Sequence, residues 1–216
     1  MSLKKIKKIL MLLNGAKPSR KLFEKSTYNS QLLVGVDGGT NWLVRNNFKV
    51  DLILGDLDSV TNETLKKSKN FQIIKLKNQN LTDFDKSVRF LINKYEVGEI
   101  EVWGATGKRI DHFLANLSIL KKLTKKVKIT FCDDYSESIL IFEDSILKGK
   151  IGQQISLIPI CNAKEVTLKG FKFETTKMDL VFGQRVSSSN QFAKTKAKVS
   201  LKKGCLFVSK IRLGKE

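Results

Sequence analysis

Short apolar runs alternate with helical patterns over the first part of the chain, and this alternation constrains the fold more than any other feature. The runs are rich in β-branched residues and end near Gly, Asn or Asp, which is typical of buried strands; they cover residues 8–13, 31–36, 51–54, 71–76, 99–103 and 127–132. Apolar residues recur on one helical face after Thr82 and from Ile110, which predicts two amphipathic helices. Strands that alternate with helices favour a mostly parallel sheet with both faces covered.

From about Asp134 the pattern changes to short strands and turns without a helical period. The predicted turns are at residues 147–149 and 202–204, and the predicted strands cover residues 138–142, 154–158, 163–168, 171–173, 196–201 and 205–211. Short strands separated by turns are typical of a small all-β sandwich. We therefore predict an α/β fold, in which a Rossmann-like parallel-sheet domain at residues 1–134 precedes a C-terminal all-β sandwich domain at residues 135–216.

The formal net charge of +19 at pH 7 separates two classes of function. A strongly basic surface attracts polyanions, so a nucleic-acid-binding protein is one interpretation. However, the lysines are scattered along the chain and are not interleaved with aromatic residues, as a single-strand binding groove requires. We favour solvated surface lysine first, attraction of an anionic substrate second, and dedicated nucleic-acid binding last.

The cysteine and histidine content points to an ordinary reducing compartment. Cys132, Cys161 and Cys205 are far apart and form no Cys-x-x-Cys motif, which favours buried thiols over disulfides or zinc. His112 is the only histidine, so metal sites built from several histidines are excluded. No apolar stretch approaches the roughly 20 residues that span a bilayer, and we expect a cytoplasmic protein without a membrane partner.

The motif Gly55-Asp56-Leu57-Asp58-Ser59 follows one of the predicted strands. If the chain is still extended there, residues two apart point to the same side, and both carboxylates face one site. Carboxylate oxygens at the carboxyl end of a parallel strand suit Mg²⁺ and a nucleotide phosphate. A plain surface turn is the alternative, and Asp-x-Asp also occurs in phosphatases that use an aspartyl nucleophile, which would make Asp56 the nucleophile.

Two further motifs stand at the ends of predicted strands or the starts of helices. Asp37-Gly38-Gly39 precedes a helical segment, so its backbone N–H groups could bind an anion, although a tight connection explains it too. Thr82-Asp83 opens the first amphipathic helix. Thr82 is expected to cap this helix and Asp83 to interact with its dipole, roles that are compatible with metal binding.

The loop Gly104-Ala105-Thr106-Gly107-Lys108-Arg109-Ile110-Asp111-His112 follows another predicted strand. Its glycine spacing is too short for a P-loop, and neither Ser nor Thr follows the lysine. What remains is a strand-to-helix loop in which Arg109 offers a fixed positive fork for phosphate beside Asp111. We favour a structural role over a catalytic one for His112.

The order of these motifs resembles thiamine pyrophosphokinases. The matching segments are Asp37-Gly38-Gly39-Thr40-Asn41, Gly55-Asp56-Leu57-Asp58-Ser59, Gln79-Asn80-Leu81-Thr82-Asp83 and the loop 104–112, with Gly170-Phe171-Lys172-Phe173 and Ser187-Ser188-Ser189-Asn190 in the β-rich part. The resemblance covers essentially the whole chain. It implies transfer of the β,γ-pyrophosphoryl group of ATP to the hydroxyethyl oxygen of thiamine, which gives thiamine diphosphate and AMP.

The resemblance also implies roles for residues and partners. A nucleotide-binding catalytic domain (1–134) is followed by a thiamine-binding and dimerisation domain (135–216), with ATP and thiamine as substrates, Mg²⁺ as cofactor and active sites at a homodimer interface. Neither a membrane nor a dedicated nucleic-acid partner is implied. The implied site residues are Asp56, Asp58 and Asp83 for the metal; Asp37, Gly38, Asn41, Gln79 and Thr82 for the nucleotide; Asp58, Asp83, Arg109 and Asp111 for catalysis; and Phe173, Ser189 and Asn190 for thiamine.

Some positions depart from common versions of the family pattern. Lys108 replaces a frequent Gly, and Phe84-Asp85 replaces a frequent Leu-Glu, both outside the expected chemistry. Phe173 stands where Tyr or Trp is usual, so it keeps an aromatic face but loses a polar group.

Overall fold

Six strands form a parallel sheet in the first of two structural units. The computed structural model describes residues 2–68 and 71–212, and the chain divides into Met1–Asp134 and Tyr135–Glu216; residue 1 and residues 213–216, at the outer ends of the predicted domains, lie outside the described residues. The strand order is β4-β3-β2-β1-β5-β6 with every pair parallel. The strands are β1 (Lys4–Leu12), β2 (Leu32–Val36), β3 (Leu52–Gly55), β4 (Gln72–Lys75), β5 (Tyr95–Trp103) and β6 (Lys128–Cys132).

Within the described residues, five helices connect these strands: α1 (Arg20–Thr27), α2 (Gly39–Arg45), α3 (Asn62–Lys67), α4 (Asp83–Lys94) and α5 (Ile110–Leu123). The predicted helices after Thr82 and from Ile110 are confirmed as α4 and α5. Thr82 caps α4 as expected, because its Oγ1 accepts a hydrogen bond of 3.2 Å from the Asp85 backbone N. In the part of the chain that the structure describes, no helix is long and apolar enough to cross a membrane.

β1 lies in the centre of the sheet, between β2 and β5, which explains its continuous run of apolar residues. Residues Ile9 to Leu12 are completely buried, as expected where helices cover both faces of a parallel strand. Phe23 of α1 packs edge-to-face against Trp42 of α2 and Trp103 of β5, with ring centroids 5.3 and 5.8 Å apart. This core fixes the positions of the loops that leave the carboxyl ends of the strands.

The strand order contains one switch point. From β1 the chain adds β2, β3 and β4 on one side, and then returns to place β5 on the other side of β1. The switch point therefore lies between β1 and β5, and open α/β sheets bind ligands at the carboxyl edge near such a point.

The second unit consists of antiparallel strands, and none of its residues between 135 and 212 is helical, as the sequence predicted. The strands are β7 (Ser136–Ile141), β8 (Ser145–Lys148), β9 (Gln154–Lys169), β10 (Thr175–Leu180), β11 (Ser187–Gln191), β12 (Lys196–Ser200) and β13 (Lys203–Ile211). The long β9 pairs with β11 and β13 over its first part and with β10 and β12 over its second. Leu157, Leu168, Phe192 and Leu206 belong to one buried core.

Several predicted boundaries in this unit are wrong. Residues 154–158 and 163–168 belong to one strand, which continues past a register irregularity and through Glu165 at a φ of 51°. Residues 171–173 form no strand, because Gly170 turns the chain with a φ of 84° and only Phe171 makes an isolated bridge, to Phe192. The predicted turns at 147–149 and 202–204 lie partly within β8 and β13, respectively. β10 and β11 were not predicted, because their residues are mostly polar and show no apolar pattern.

Candidate active site

A cleft of about 740 Å³ opens at the carboxyl edge of the parallel sheet. Its lining comes from the ends of β1, β2, β3 and β5, from the loop before α4, and from the starts of α4 and α5. The sequence-predicted residues that line it are Asp37, Asp56, Asp58, Gln79, Thr82, Asp83, Arg109 and Asp111. His112 lines it as well. Motifs separated by more than 70 positions along the chain thus meet in one place, because parallel strands end at the same edge.

Three carboxylates come together in this cleft. One oxygen from each of Asp37, Asp56 and Asp83 lies within 4.8 Å of the other two. Asp58 lines the cleft but is not in this group. The chain is not extended at this motif, because Leu57 has a φ of 70° and the Asp58 backbone N donates to Asp56 Oδ1 at 3.4 Å. Both carboxylates nevertheless line the same cleft.

The position of Asp37 depends on a close approach between two strand ends. Its backbone N donates to Leu54 O at 2.8 Å, and its Oδ1 accepts from Ser59 N at 3.0 Å. Gly55 faces it with a φ of 134°, and a Cβ on Gly55 would lie only 3.2 Å from Asp37 Cβ and N. The glycine of the acidic motif therefore makes room for Asp37, which is itself buried.

Lys86 lies beside the carboxylates and was not predicted from the sequence. Its side chain is only 5% exposed, and its Nζ lies 2.8 Å from Asp83 Oδ1 and 3.8 Å from Asp56 Oδ2. Nζ also donates to Leu76 O at 3.4 Å. The spacing in the sequence could have indicated this contact, because Lys86 follows Asp83 by three residues on a predicted helix and therefore lies on the same helical face.

The carboxylate group fits a hard divalent cation. Three carboxylates carry three negative charges, of which Lys86 compensates one. Asp83 Oδ1 is buried, and although Lys86 Nζ forms an ion pair with it, no hydrogen bond reaches it from the described residues. Mg²⁺ prefers such oxygen donors and is usually held by one or two carboxylates together with substrate phosphates.

Arg109 and Asp111 form a two-point ion pair at the start of α5. Arg109 Nε donates to Asp111 Oδ1 at 3.1 Å, and Nη2 contacts the other carboxylate oxygen. The hydrogen bond from Arg109 lowers the pKa of Asp111 to about 2, and the same contact raises the pKa of the Arg109 guanidinium. Both groups stay charged at neutral pH, so Asp111 orients Arg109 and is a poor proton acceptor.

Gly38 and Asn41 lie outside the described lining of the cleft. Asn41 braces the loop after the acidic motif: its Nδ2 donates to Ser59 O at 2.8 Å, and its Oδ1 accepts from Thr61 N at 3.0 Å. A Cβ on Gly38 would lie 2.4 Å from Asn14 Nδ2. Asn41 and Gly38 therefore support residues next to the cleft, and their described contacts are all with the protein itself.

The predicted thiamine residues all lie in the second unit. Asn190 is completely buried, and its amide is fully engaged: Oδ1 accepts from the backbone N of Phe173 (3.0 Å) and Gln191 (2.8 Å), while Nδ2 donates to Phe173 O (2.8 Å) and Ser187 Oγ (3.2 Å). Phe173 is 58% exposed. Ser189 has a φ of 51°, and its backbone N donates to Ser156 Oγ at 3.1 Å. Asn190 thus holds Phe173 in place and presents its ring.

The chain matches both family models of one enzyme family. The model described as "Thiamin pyrophosphokinase, catalytic domain" matches residues 23–131, and that described as "Thiamin pyrophosphokinase, vitamin B1 binding domain" matches residues 144–206. The thiamine pyrophosphokinase of Bacillus subtilis is 30% identical over 185 residues, which is 82% of this chain and 86% of that protein. Thiamin pyrophosphokinase 1 of Caenorhabditis elegans is 27% identical over 206 residues, covering 89% and 82% of the two chains.

Solved structures of thiamine pyrophosphokinases have the same fold as this chain. The crystal structure of the Bacillus subtilis thiamine pyrophosphokinase superimposes with a TM-score of 0.84 and 25% identity over 96% of this chain and all of that one. The yeast thiamin pyrophosphokinase, at 19% identity, shares the fold with a TM-score of 0.82 and covers 96% and 87% of the two chains. With both family models matched in order and a relative at this identity over most of its length, the chain belongs to the thiamine pyrophosphokinase family.

Proposed function

We propose that this protein transfers the β,γ-pyrophosphoryl group of ATP to the hydroxyethyl oxygen of thiamine in its carboxylate-lined cleft, giving thiamine diphosphate and AMP. The observation that carries the proposal is the convergence of Asp37, Asp56 and Asp83 at the carboxyl edge of the sheet, in a chain that belongs to this enzyme family. The same membership speaks against the alternatives of a basic nucleic-acid-binding protein and an aspartyl phosphatase.

The carboxylates give the cleft its proposed metal site. Asp37, Asp56 and Asp83 would hold Mg²⁺, which when bound neutralises phosphate charge and polarises the group that is transferred. Lys86, fixed against Asp83 and Asp56, limits the repulsion between the carboxylates in the free protein. This proposal replaces Asp58 by Asp37 in the metal group that the sequence predicted.

Other cleft residues position the reactants. Arg109 directs its charge at a phosphate, with Asp111 fixing its orientation, while Gln79 and Thr82 line the nucleotide side. Asp58 lies in the cleft outside the metal group. We assign it the acceptance of the thiamine hydroxyl proton, because it can do so without giving up a metal contact.

The two units take different parts in the proposal. Residues 1–134 form a Rossmann-like nucleotide-binding catalytic domain, and residues 135–216 form a β-sandwich that binds thiamine through Phe173 and Ser189 in a homodimer. Support for the sandwich is the pairing of β9 with two different groups of strands. A cytoplasmic location is part of the same proposal.

Assembly is tested by complementation. If each active site draws residues from both subunits, co-expression of the Asp83→Asn and Phe173→Ala chains restores part of the activity that each lacks alone. No restoration in a mixture shown to contain mixed dimers, or a monomer in sedimentation, contradicts the shared site.

The reaction itself is tested by product identification. Purified protein with ATP, Mg²⁺ and thiamine is expected to form thiamine diphosphate and AMP in equal amounts, as measured by chromatography. Omission of Mg²⁺ with a chelator should stop the reaction. Release of ADP with thiamine monophosphate, or a folded protein that makes no product, would contradict the proposal.

A further inference from the structure

Two loops at the switch point of the sheet are bound tightly to each other. The loop after β1, residues 13–19, joins the loop after β5, residues 104–109, through backbone hydrogen bonds from Gly15 N to Gly104 O (2.9 Å) and from Ala16 N to Thr106 O (2.7 Å). A Cβ on Gly15 would lie 2.2 Å from Gly104 O. The two loops therefore form one rigid wall of the cleft.

Each loop places a lysine against the same neutral acceptor. Lys17 Nζ lies 3.3 Å from Asn14 Oδ1 and 3.2 Å from Leu13 O, and Lys108 Nζ lies 3.4 Å from the same Asn14 oxygen. Neither ammonium forms an ion pair with a carboxylate anywhere in residues 2–68 and 71–212. Asn14 and Lys108 line the cleft that also contains the carboxylate group.

This arrangement is unfavourable for the protein without a ligand. Burial, and next the charge of Lys108, lower the pKa of Lys17 to about 8, and only Asp37 acts in the opposite direction. Lys108 in addition has a φ of 57°, a conformation that side chains rarely adopt. An anion between the two ammonium groups would remove the repulsion and accept charge-assisted hydrogen bonds from both.

We propose that Lys17 and Lys108 together bind one phosphate group of the nucleotide. The two loops of the switch point form this subsite, and it contains none of the proposed metal ligands. The inference rests on the proposed function, since it takes ATP as the ligand of this cleft. It gives the polyphosphate chain a point of attachment in addition to Arg109 and the carboxylate group.

The test is calorimetric titration with inorganic tripolyphosphate in a chelator, which needs neither metal nor activity. We expect Lys17→Met and Lys108→Gly each to weaken binding about tenfold, the loss typical of one charge-assisted hydrogen bond. The double variant should lose less than the product of the single losses, because both side chains contact the same phosphate.

A matched control separates this site from the general basic surface. Lys4→Gln removes one positive charge at the start of β1, roughly 25 Å along the strand from its carboxyl end and beyond the screening length of about 8 Å at physiological salt. Binding by Lys4→Gln should equal that of the wild type. An equal loss in all three single variants, or no loss in Lys17→Met and Lys108→Gly, overturns the proposal.

Folding effects are distinguishable because they have the opposite sign. Lys17→Met removes a partly buried charge and Lys108→Gly relieves a strained backbone, so both should raise the melting temperature of the unliganded protein. The wild type should also lose tripolyphosphate affinity as pH rises through about 8, where Lys17 gives up its proton, and Lys17→Met should lose this dependence.

Steady-state kinetics separate the two proposals. In Lys17→Met the KM for ATP should rise about tenfold while the KM for thiamine stays unchanged. If the wild type makes no thiamine diphosphate, the proposed function fails, and the tripolyphosphate titration still decides the lysine subsite. If the wild type is active and the KM for ATP does not change in either variant, the subsite is wrong and the function stands.

Discussion

The cleft of the first unit and the Phe173 region of the second unit both contain a buried polar group, but they use it in opposite ways. Asp83 Oδ1 is buried with an ion pair to Lys86 Nζ at 2.8 Å and no further partner among the described residues, whereas the amide of Asn190 has four hydrogen-bond contacts, all within the second unit. An incompletely satisfied group costs stability and can accept a ligand. A satisfied one stabilises the fold, so the comparison separates a binding residue from a bracing residue.

The largest expected effect is on catalysis at Asp83. Asp83→Asn keeps the shape of the side chain but removes a charge from the proposed metal site, so the rate of thiamine diphosphate formation should fall about 10³-fold. The melting temperature should change little, because the Asp83 side chain is one-third exposed and the lost ion pair with Lys86 is offset by weaker repulsion among the carboxylates. A substantial fall in melting temperature would instead identify Asp83 as a bracing residue and break the comparison.

The corresponding experiment in the second unit is the substitution Asn190→Ala. Removal of this amide leaves the backbone N and O of Phe173 without their partners, and the free energy of unfolding should fall by about 2–4 kcal/mol. Urea denaturation measures the loss. Asn190→Ser is a smaller polar control, and an unchanged stability in the alanine variant accompanied by a raised KM for thiamine would make Asn190 a ligand contact after all.

Lys86 should connect metal binding with stability. Lys86→Met removes the nearest cation from the three carboxylates, so the protein in a chelator should be less stable by about 1–2 kcal/mol. Mg²⁺ should then stabilise the variant more than it stabilises the wild type, measured as the shift in melting temperature between chelator and metal. Equal shifts in the two proteins would contradict a cation site at these carboxylates.

The smallest expected effect is the titration of Asp111. Its depressed pKa of about 2 means that the stabilisation from Arg109 is fully present above the ordinary carboxyl pKa and is lost as pH falls through about 2. The carboxyl midpoint, followed by NMR, should move up towards the ordinary range of about 4 in Arg109→Gln. Activity should therefore show no acid limb from Asp111 between pH 5 and pH 8, and such a limb, absent from Asp111→Asn, would exclude the orienting role.

Much of the first unit could be predicted because its signals are local. The apolar run of β1, the Thr82 cap and the repeating apolar face of α4 each arise from neighbouring residues, and all three are found in the structure. The strands of the second unit were harder to predict. Whether β9 ends or continues depends on strands paired with it from elsewhere in the chain, and the polar strand β11 is recognisable only from its pairing with β9.

The sequence by itself determined the class of fold, the edge at which the acidic motifs gather and the family to which the motifs belong, since periodicity and motif order are properties of the chain. Only the tertiary structure decided which side chains meet. Leu57 at positive φ kept Asp58 out of the carboxylate group, Gly55 admitted Asp37 in its place, and the Asp83 helix brought in Lys86. Distances of a few ångströms between residues far apart in the chain are set by how strand ends and loops pack, which no local pattern records.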